Sequence, residues 1–319
     1  MPDTVLVLNN PASVLILFTS LLEQIDELWI EKGASANLDR MIERALDVLR
    51  FDRELPVRHI DVQNLFAAGQ QRRGKVQRYR GIAQQVDALC DAAKVKTLIC
   101  SSTSSFRLAH VEKLRIVDHG TGDYLRTPWQ TRIERLKYAL LYSRPSQRSF
   151  EHFSFIPLSG RTHLPLKTEL IRECVAGLNH PFRDDRLSVI LLVHPTFALK
   201  DQLQRVADAM GNESYDLYLK GHHFDTNDKA PDGTGDSAGP NVQPLSDTLG
   251  ALPAEILVLG LNAPLRLAAI ESTALWNIGI NDPARVRAIA RREEILGLPG
   301  PWRTGLTWLE NALGYSPFR

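Results

Sequence analysis

The strongest constraint on this chain is a repeated alternation of short β-branched runs with helix-period segments, each run ending in a cluster of polar residues. Thr4 to Leu8 (TVLVL) reads as a strand that stops at Asn9-Asn10-Pro11, and a helix-like apolar pattern continues from there through Leu28. Asp39 to Arg50 keeps Met41, Ile42, Ala45, Leu46 and Leu49 on one side of a helix. Val57 to Val62 alternates as a strand, Ile82 to Ala93 is helical, and Val95 to Cys100 and Leu114 to Val117 are further strands, the last ending at Asp118. After a long irregular middle the pattern restarts. Leu187 to Val193 (LSVILLV) is apolar on both faces, His194-Pro195-Thr196 turns the chain, Lys200 to Met210 forms a helix, and Tyr215 to Leu219 is the next strand. Phe224 to Gly250 is rich in Asp, Asn, Gly, Pro and Ser and reads as a long loop. Glu255 to Leu259 is expected as a strand and Arg266 to Ile270 as a short helix. Leu275 to Ile280 is apolar, Ala284 to Leu296 is expected as a helix, and Leu306 to Leu313 is expected to close the chain. Strands alternating with helices predict parallel sheets covered on both faces.

At 319 residues the chain exceeds one ordinary domain. Two α/β domains are therefore expected, 1–165 and 166–319, with the last helix free to return to the first. Hydrophobic residues at 44% and charged residues at 24% match globular usage and exclude a disordered or disulfide-scaffold chain. The 38 basic residues against 37 acidic ones leave a net charge of +1, so any anion site is local. Two basic runs are candidates, Arg72, Arg73, Lys75, Arg78 and Arg80, and then Arg126, Arg132, Arg135, Lys137, Arg144 and Arg148. Trp129, Tyr138 and Tyr142 interleave the second, which makes it the better surface for an anionic glycan or lipid headgroup, although a solvated helix face has the same composition. No nucleic-acid-binding module is present. Cys90, Cys100 and Cys174 read as buried free thiols in a reducing compartment. No apolar stretch is long enough to span a bilayer, so a cytoplasmic protein is expected, with peripheral contact to the inner membrane left open.

In open α/β sheets ligands sit beyond the carboxyl ends of strands, so the polar strand ends are the candidate sites. Asn9 and Asn10 follow the first strand. Asp118-His119-Gly120-Thr121-Gly122 follows another, where Asp118 is either a general base or a turn former. The glycines lack the dinucleotide-binding spacing. Lys220-Gly221-His222-His223 follows Leu219, where the histidines could act on a phosphate or lie solvated in a loop. Adjacent histidines point apart on an extended chain, so a metal site is not expected. Ser272 and Thr273 could donate to a phosphate or simply cap a helix.

Taken in order, these segments resemble the bacterial lipooligosaccharide sialyltransferases and capsule polysialyltransferases. Val117-Asp118-His119-Gly120-Thr121-Gly122-Asp123-Tyr124 is similar to the family's acidic-acidic-glycine motif, with His119 in place of the second acid. Tyr218-Leu219-Lys220-Gly221-His222-His223 is similar to its Lys-Pro-His-Pro motif, with Gly221 and His223 in place of the prolines. Glu271-Ser272-Thr273-Ala274 is similar to its late Ser-Ser or Ser-Thr pair. The resemblance implies a GT-B architecture, two Rossmann-like domains with parallel sheets facing a cleft. It further implies inverting, metal-independent transfer of a sialic acid from CMP-sialic acid to a cell-surface glycan, with no cofactor. Asp118 would be the base, aided or replaced by His119, and His222 would serve the leaving phosphate. Lys220, His223, Ser272 and Thr273 would hold the donor phosphate, and Asn9, Asn10, Gly120 and Thr121 would line the acceptor cleft. The expected partners are a nucleotide-sugar donor, a glycan acceptor and capsule assembly proteins. A transferase using CMP-Kdo or a UDP sugar, or an inert glycan-binding or nucleotide-binding homologue, fits the same residues.

Overall fold

The structure, a computed structural model, describes residues 2–32, 36–62, 75–118, 120–130, 132–133, 149–221, 242–298 and 302–318. The chain divides into two compact units, Met1–Lys167 and Thr168–Arg319. Each is an α/β unit with its own parallel sheet.

In the first unit the strands are β1 (Thr4–Leu8), β2 (Glu27–Lys32), β3 (Val57–Asp61), β4 (Thr97–Ser101), β5 (Lys113–Asp118), β6 (Ser149–Ser154) and β7 (Thr162–His163). Their order in the sheet is β3-β2-β1-β4-β5-β6-β7, and every pairing is parallel. The helices are α1 (Ala36–Leu49), α2 (Phe51–Glu54), α3 (Lys75–Ala93) and α4 (Thr121–Tyr124). Alternation along β1 turns Val5 and Val7 toward Val86 and Cys90 of α3, while the fully buried Leu6 and Leu8 face the other side. Burying each such aliphatic side chain contributes about 1.5–3 kcal/mol.

The helix expected from Ala12 through Leu28 is instead a 3-10 helix over Pro11–Phe18, a second over Leu22–Gln24, and the strand β2. Asn10 caps the first of these, accepting from the Ser13 amide at 3.0 Å, and Pro11 opens it. Glu27–Lys32 joins the sheet because Leu28, Trp29 and Ile30 are all buried between β1 and β3, a two-sided burial that leaves no period in the sequence.

The second unit has strands β8 (Leu187–Leu192), β9 (Tyr215–Lys220), β10 (Val242–Pro244), β11 (Leu265–Ala269) and β12 (Val286–Ala288) in the order β10-β9-β8-β11-β12, again all parallel. Its helices are α5 (Thr168–Val175), α6 (Leu199–Met210), α7 (Asp247–Ala251), α8 (Ala254–Gly260), α9 (Thr273–Gly279), α10 (Arg292–Gly297) and α11 (Trp302–Leu313). Pro244, with no N–H to donate, lies in the edge strand.

Three expectations reverse here. Glu255 to Leu259 lies in helix α8, whose residues are all buried, so it carries no amphipathic stripe. Leu265–Ala269 is a strand and not a helix, because it pairs with β8 on one side and β12 on the other. The helix expected over Ala284 to Leu296 divides into a 3-10 turn, β12 and α10. The part of the expected 224–250 loop within the described residues holds β10 and α7. The closing helix α11 is held within the second unit, with Trp302 and Trp276 in edge contact with Phe318.

Cys90 and Cys100 are buried and Cys174 half-buried. Burial, then the charges of Asp87 and Asp91, push the Cys90 thiol up to about 12. It is a core residue rather than a nucleophile.

Candidate functional site

Strand order reverses between β1 and β4 in the first unit and between β8 and β11 in the second, and such switch points are where open α/β sheets leave a crevice. The residues just past those four strands are therefore the ones to weigh.

In the first unit the switch point carries neutral hydrogen-bonding groups. Asn9 Nδ2 donates to Thr103 Oγ1 at 3.0 Å, and Asn9 Oδ1 accepts from Ser101 Oγ at 2.7 Å and from Asn10 Nδ2 at 2.9 Å. Asn9 thus meets Ser101 at the end of β4 and Thr103 in the loop that follows, and it holds Asn10 beside it. One strand further, Asp118 ends β5 and is 1% exposed. Its Oδ1 meets His152 Nε2 at 2.7 Å, and its Oδ2 accepts from Arg161 Nε, whose side chain is also 1% exposed. Arg161 donates as well to the Asp123 carbonyl at 2.8 Å, and Ser102 donates to the Asp123 carboxylate at 2.5 Å. Burial works against the charge on Asp118, but His152, by hydrogen bond and by charge, and then Arg161 outweigh it, so the carboxyl is held below its usual range. Such a carboxylate is ionised and firmly placed, and it is a weak base. The Gly120 carbonyl accepts from the Asp123 and Tyr124 amides. Thr121 opens α4, with only its backbone described, and His119 lies outside the described residues.

In the second unit the strand ends at the switch point carry an imidazole and a carboxylate. His194 follows β8, Glu271 follows β11, and His194 Nε2 lies 3.4 Å from Glu271 Oε1. The side chains are 14% and 27% exposed, so the pair is partly accessible. Nδ1 of His194 accepts from the Thr196 amide at 3.3 Å, which puts the ring proton on Nε2, facing Glu271. Ser272 caps α9 by accepting from the Ala274 amide at 3.2 Å, which is the capping alternative for this residue, and Thr273 is the first residue of that helix.

Lys220, expected on a donor phosphate, is buried at the end of β9. Its ammonium donates to the Gly250 carbonyl, and Glu255 lies close enough to support its charge. Burial lowers its pKa to about 8. Asn277 completes this interior cluster, donating to Glu255 at 2.9 Å. His222 and His223 lie outside the described residues. Among the described residues, no group of three or more His, Cys, Asp or Glu could hold a metal ion, and no helix is long and apolar enough to cross a membrane.

Sequence reasoning passed over His152, Arg161 and His194 as site residues, and it placed Asp123 and Glu271 within candidate motifs without giving either a role. His152 and Arg161 stand 34 and 43 residues from Asp118, and only the pairing of β6 with β5 and the turn into β7 bring them to it. His194 had a readable signal, since a literal His-Pro dipeptide follows a strand buried on both faces. It reads as a turn until the β8–β11 pairing is known.

A scan against protein-family models and a search of curated proteins return no match. Among solved structures, the chain is similar to UDP-GlcNAc 2-epimerase from Neisseria meningitidis bound to UDP-GlcNAc, with 11% identity and a TM-score of 0.52 over 89% of this chain and 82% of that one. It is similar also to UDP-N-acetylglucosamine 2-epimerase from Rickettsia bellii, with 10% identity and a TM-score of 0.51 over 98% and 88%. The GT-B domain of a sialyltransferase from Photobacterium damselae matches at 10% identity and a TM-score of 0.44 over 98% and 97%, a likeness too loose to argue from. At such identities the likeness shows the fold, a two-sheet parallel α/β architecture of the GT-B kind.

Proposed function

We propose that the protein is a nucleotide-sugar-dependent glycosyltransferase whose second unit takes the donor nucleotide at the His194–Glu271 pair. The observation that carries this reading is that half-open pair, set across the switch point of a β10-β9-β8-β11-β12 sheet. An imidazole bearing its proton on Nε2 can donate to a phosphate oxygen, and a carboxylate beside it can accept from ribose hydroxyls. Bond breaking at the anomeric carbon leaves negative charge on that phosphate, and a donor aimed at it is worth most in the transition state.

The resemblance supports the finer reading, transfer of a sialic acid from CMP-sialic acid with inversion and without a metal. The acceptor oxygen bonds to the anomeric carbon as the bond to the CMP phosphate breaks. The resemblance assigns His222 and Thr273 to the departing phosphate that His194 also serves, while Lys220 is held inward by Gly250 and Glu255. Asp118 enters differently from the sequence expectation. With both oxygens engaged by His152 and Arg161, it anchors the end of β5, and the acceptor proton is assigned to His119, the alternative base of the motif.

Release of CMP from CMP-sialic acid, followed with and without glycan acceptors, tests the donor. Acceptor-dependent release is expected. UDP-GlcNAc, the ligand named for the Neisseria neighbour, belongs in the same experiment because the fold alone does not choose between transfer and epimerisation. No binding and no turnover of CMP-sialic acid, with UDP-GlcNAc consumed, would overturn the sialyl reading.

A further inference from the structure

The turn that presents His194 is held from beneath by one side chain that neither the motifs nor the proposed chemistry uses. Gln202, in the first turn of α6, is fully buried. Its Oε1 accepts from the His194 amide at 2.8 Å, and its Nε2 donates to the His194 carbonyl at 2.9 Å and to the Phe197 carbonyl at 2.8 Å. Both amide protons and the carbonyl are therefore engaged with the four-residue turn from His194 to Phe197. The network also fixes which end of the amide is which, since the flipped amide would set N–H against N–H and oxygen against two carbonyls. The ring of Phe197 meets the His194 ring edge-on at 5.1 Å between centroids, and Arg205, one turn along α6, lies 5.8 Å over Phe197. Arg205 is itself fixed by Glu294, at 2.9 Å to each oxygen.

We propose that Gln202 is the positioning residue of the site: by clamping both backbone groups of His194 it fixes the ring so that Nε2–H points to Glu271 and the proposed phosphate position. This inference rests on the reading of His194 as the phosphate donor. A helix-borne amide suits the task because side chains carried by helices are placed more precisely than those carried by loops. Glutamate cannot replace it, having no proton for the two carbonyls, and Asn is one methylene short.

Gln202→Met conserves volume and helix propensity while removing all three hydrogen bonds. It is compared with the wild-type chain below its melting transition, by the 15N imidazole signals of His194 and by kinetics with CMP-sialic acid. The expected result is a His194 ring that passes from one Nε2–H tautomer to a mixture, and a kcat lower by roughly 10²-fold, as a misplacement of about 1 Å produces. KM for the donor should stay within about threefold, since the loss falls on the transition state. Unchanged ring signals and an unchanged kcat in folded Gln202→Met would overturn the proposal and leave Gln202 as a stability element. If Gln202→Met does not fold, Gln202→Glu, which keeps the acceptor for the His194 amide, gives the same two readouts with the same expected directions. A wild-type chain that turns over no sugar nucleotide contradicts the glycosyl-transfer reading, and the ring signals then decide the role of Gln202 by themselves.

Discussion

The two units present opposite electrostatic arrangements at equivalent ends of their sheets. In the first, Asp118, His152 and Arg161 are buried together, the carboxylate engaged by both of the others, with the Asp118 and Arg161 side chains each 1% exposed. In the second, His194 and Glu271 stand 3.4 Å apart and are partly exposed. Buried ions that neutralise each other hold a shape, and breaking one of them leaves the partner uncompensated. A half-open imidazole–carboxylate pair can exchange its contact for a ligand. The difference teaches that the carboxylate at a strand end can have both oxygens engaged within the protein, here by the His152 imidazole and the Arg161 guanidinium.

Substitutions break this comparison in different ways. His194→Ala should lower turnover by about 10² to 10⁴-fold, the usual worth of a general acid or base, and leave the melting temperature nearly unchanged. A large fall in melting temperature with turnover intact would reverse the assignment. Asp118→Asn should do the opposite, destabilising the first unit by about 3–5 kcal/mol because Arg161 is left buried without its charge partner. Chemical denaturation reads that loss, and a variant that keeps its stability but loses all turnover would restore Asp118 as the base.

Lys220 sharpens the contrast inside the second unit. Its folded pKa of about 8 lies below the ordinary 10.5, so the unfolded chain binds more protons between those values. Stability should therefore rise with pH through that window, by at most about 1.4 kcal/mol per pH unit, and Lys220→Met should flatten the slope. A slope that Lys220→Met leaves unaltered would show the ammonium to be solvated. The smallest expected effect is that of Ser272→Ala, about 1 kcal/mol of stability from the lost cap, with donor KM little changed. A tenfold rise in KM would make its hydroxyl a ligand contact.

Much of the fold was legible because local pattern and tertiary role agree. The TVLVL run of β1 and the LSVILL run of β8 are strands in both readings, and Leu199–Met210 is a helix with one apolar face. The failures lie where burial is complete. Ala254–Gly260 is buried throughout and Leu265–Ala269 is buried except at Arg266, so neither period appears and a helix and a strand exchange places. The site was legible to a lesser degree. Strand ends pointed to Asn9, Asp118 and Ser272, but the contacts of His152, Arg161 and Glu271 depend on which strands neighbour each other, and single-residue reading carries no strand order. Gln202 is polar in a helix that shows an ordinary amphipathic pattern, and only its burial distinguishes it.

The central claim is that the second unit's switch point, through His194, holds the nucleotide phosphate. Calorimetric titration of the full chain with CMP and with cytidine, repeated on His194→Ala, tests it most directly. CMP should bind the wild-type chain more tightly than cytidine, and the substitution should weaken CMP by about tenfold or more, as a lost hydrogen bond to a charged group does, while cytidine binding is preserved. Equal CMP affinity in the wild-type and substituted chains would contradict it.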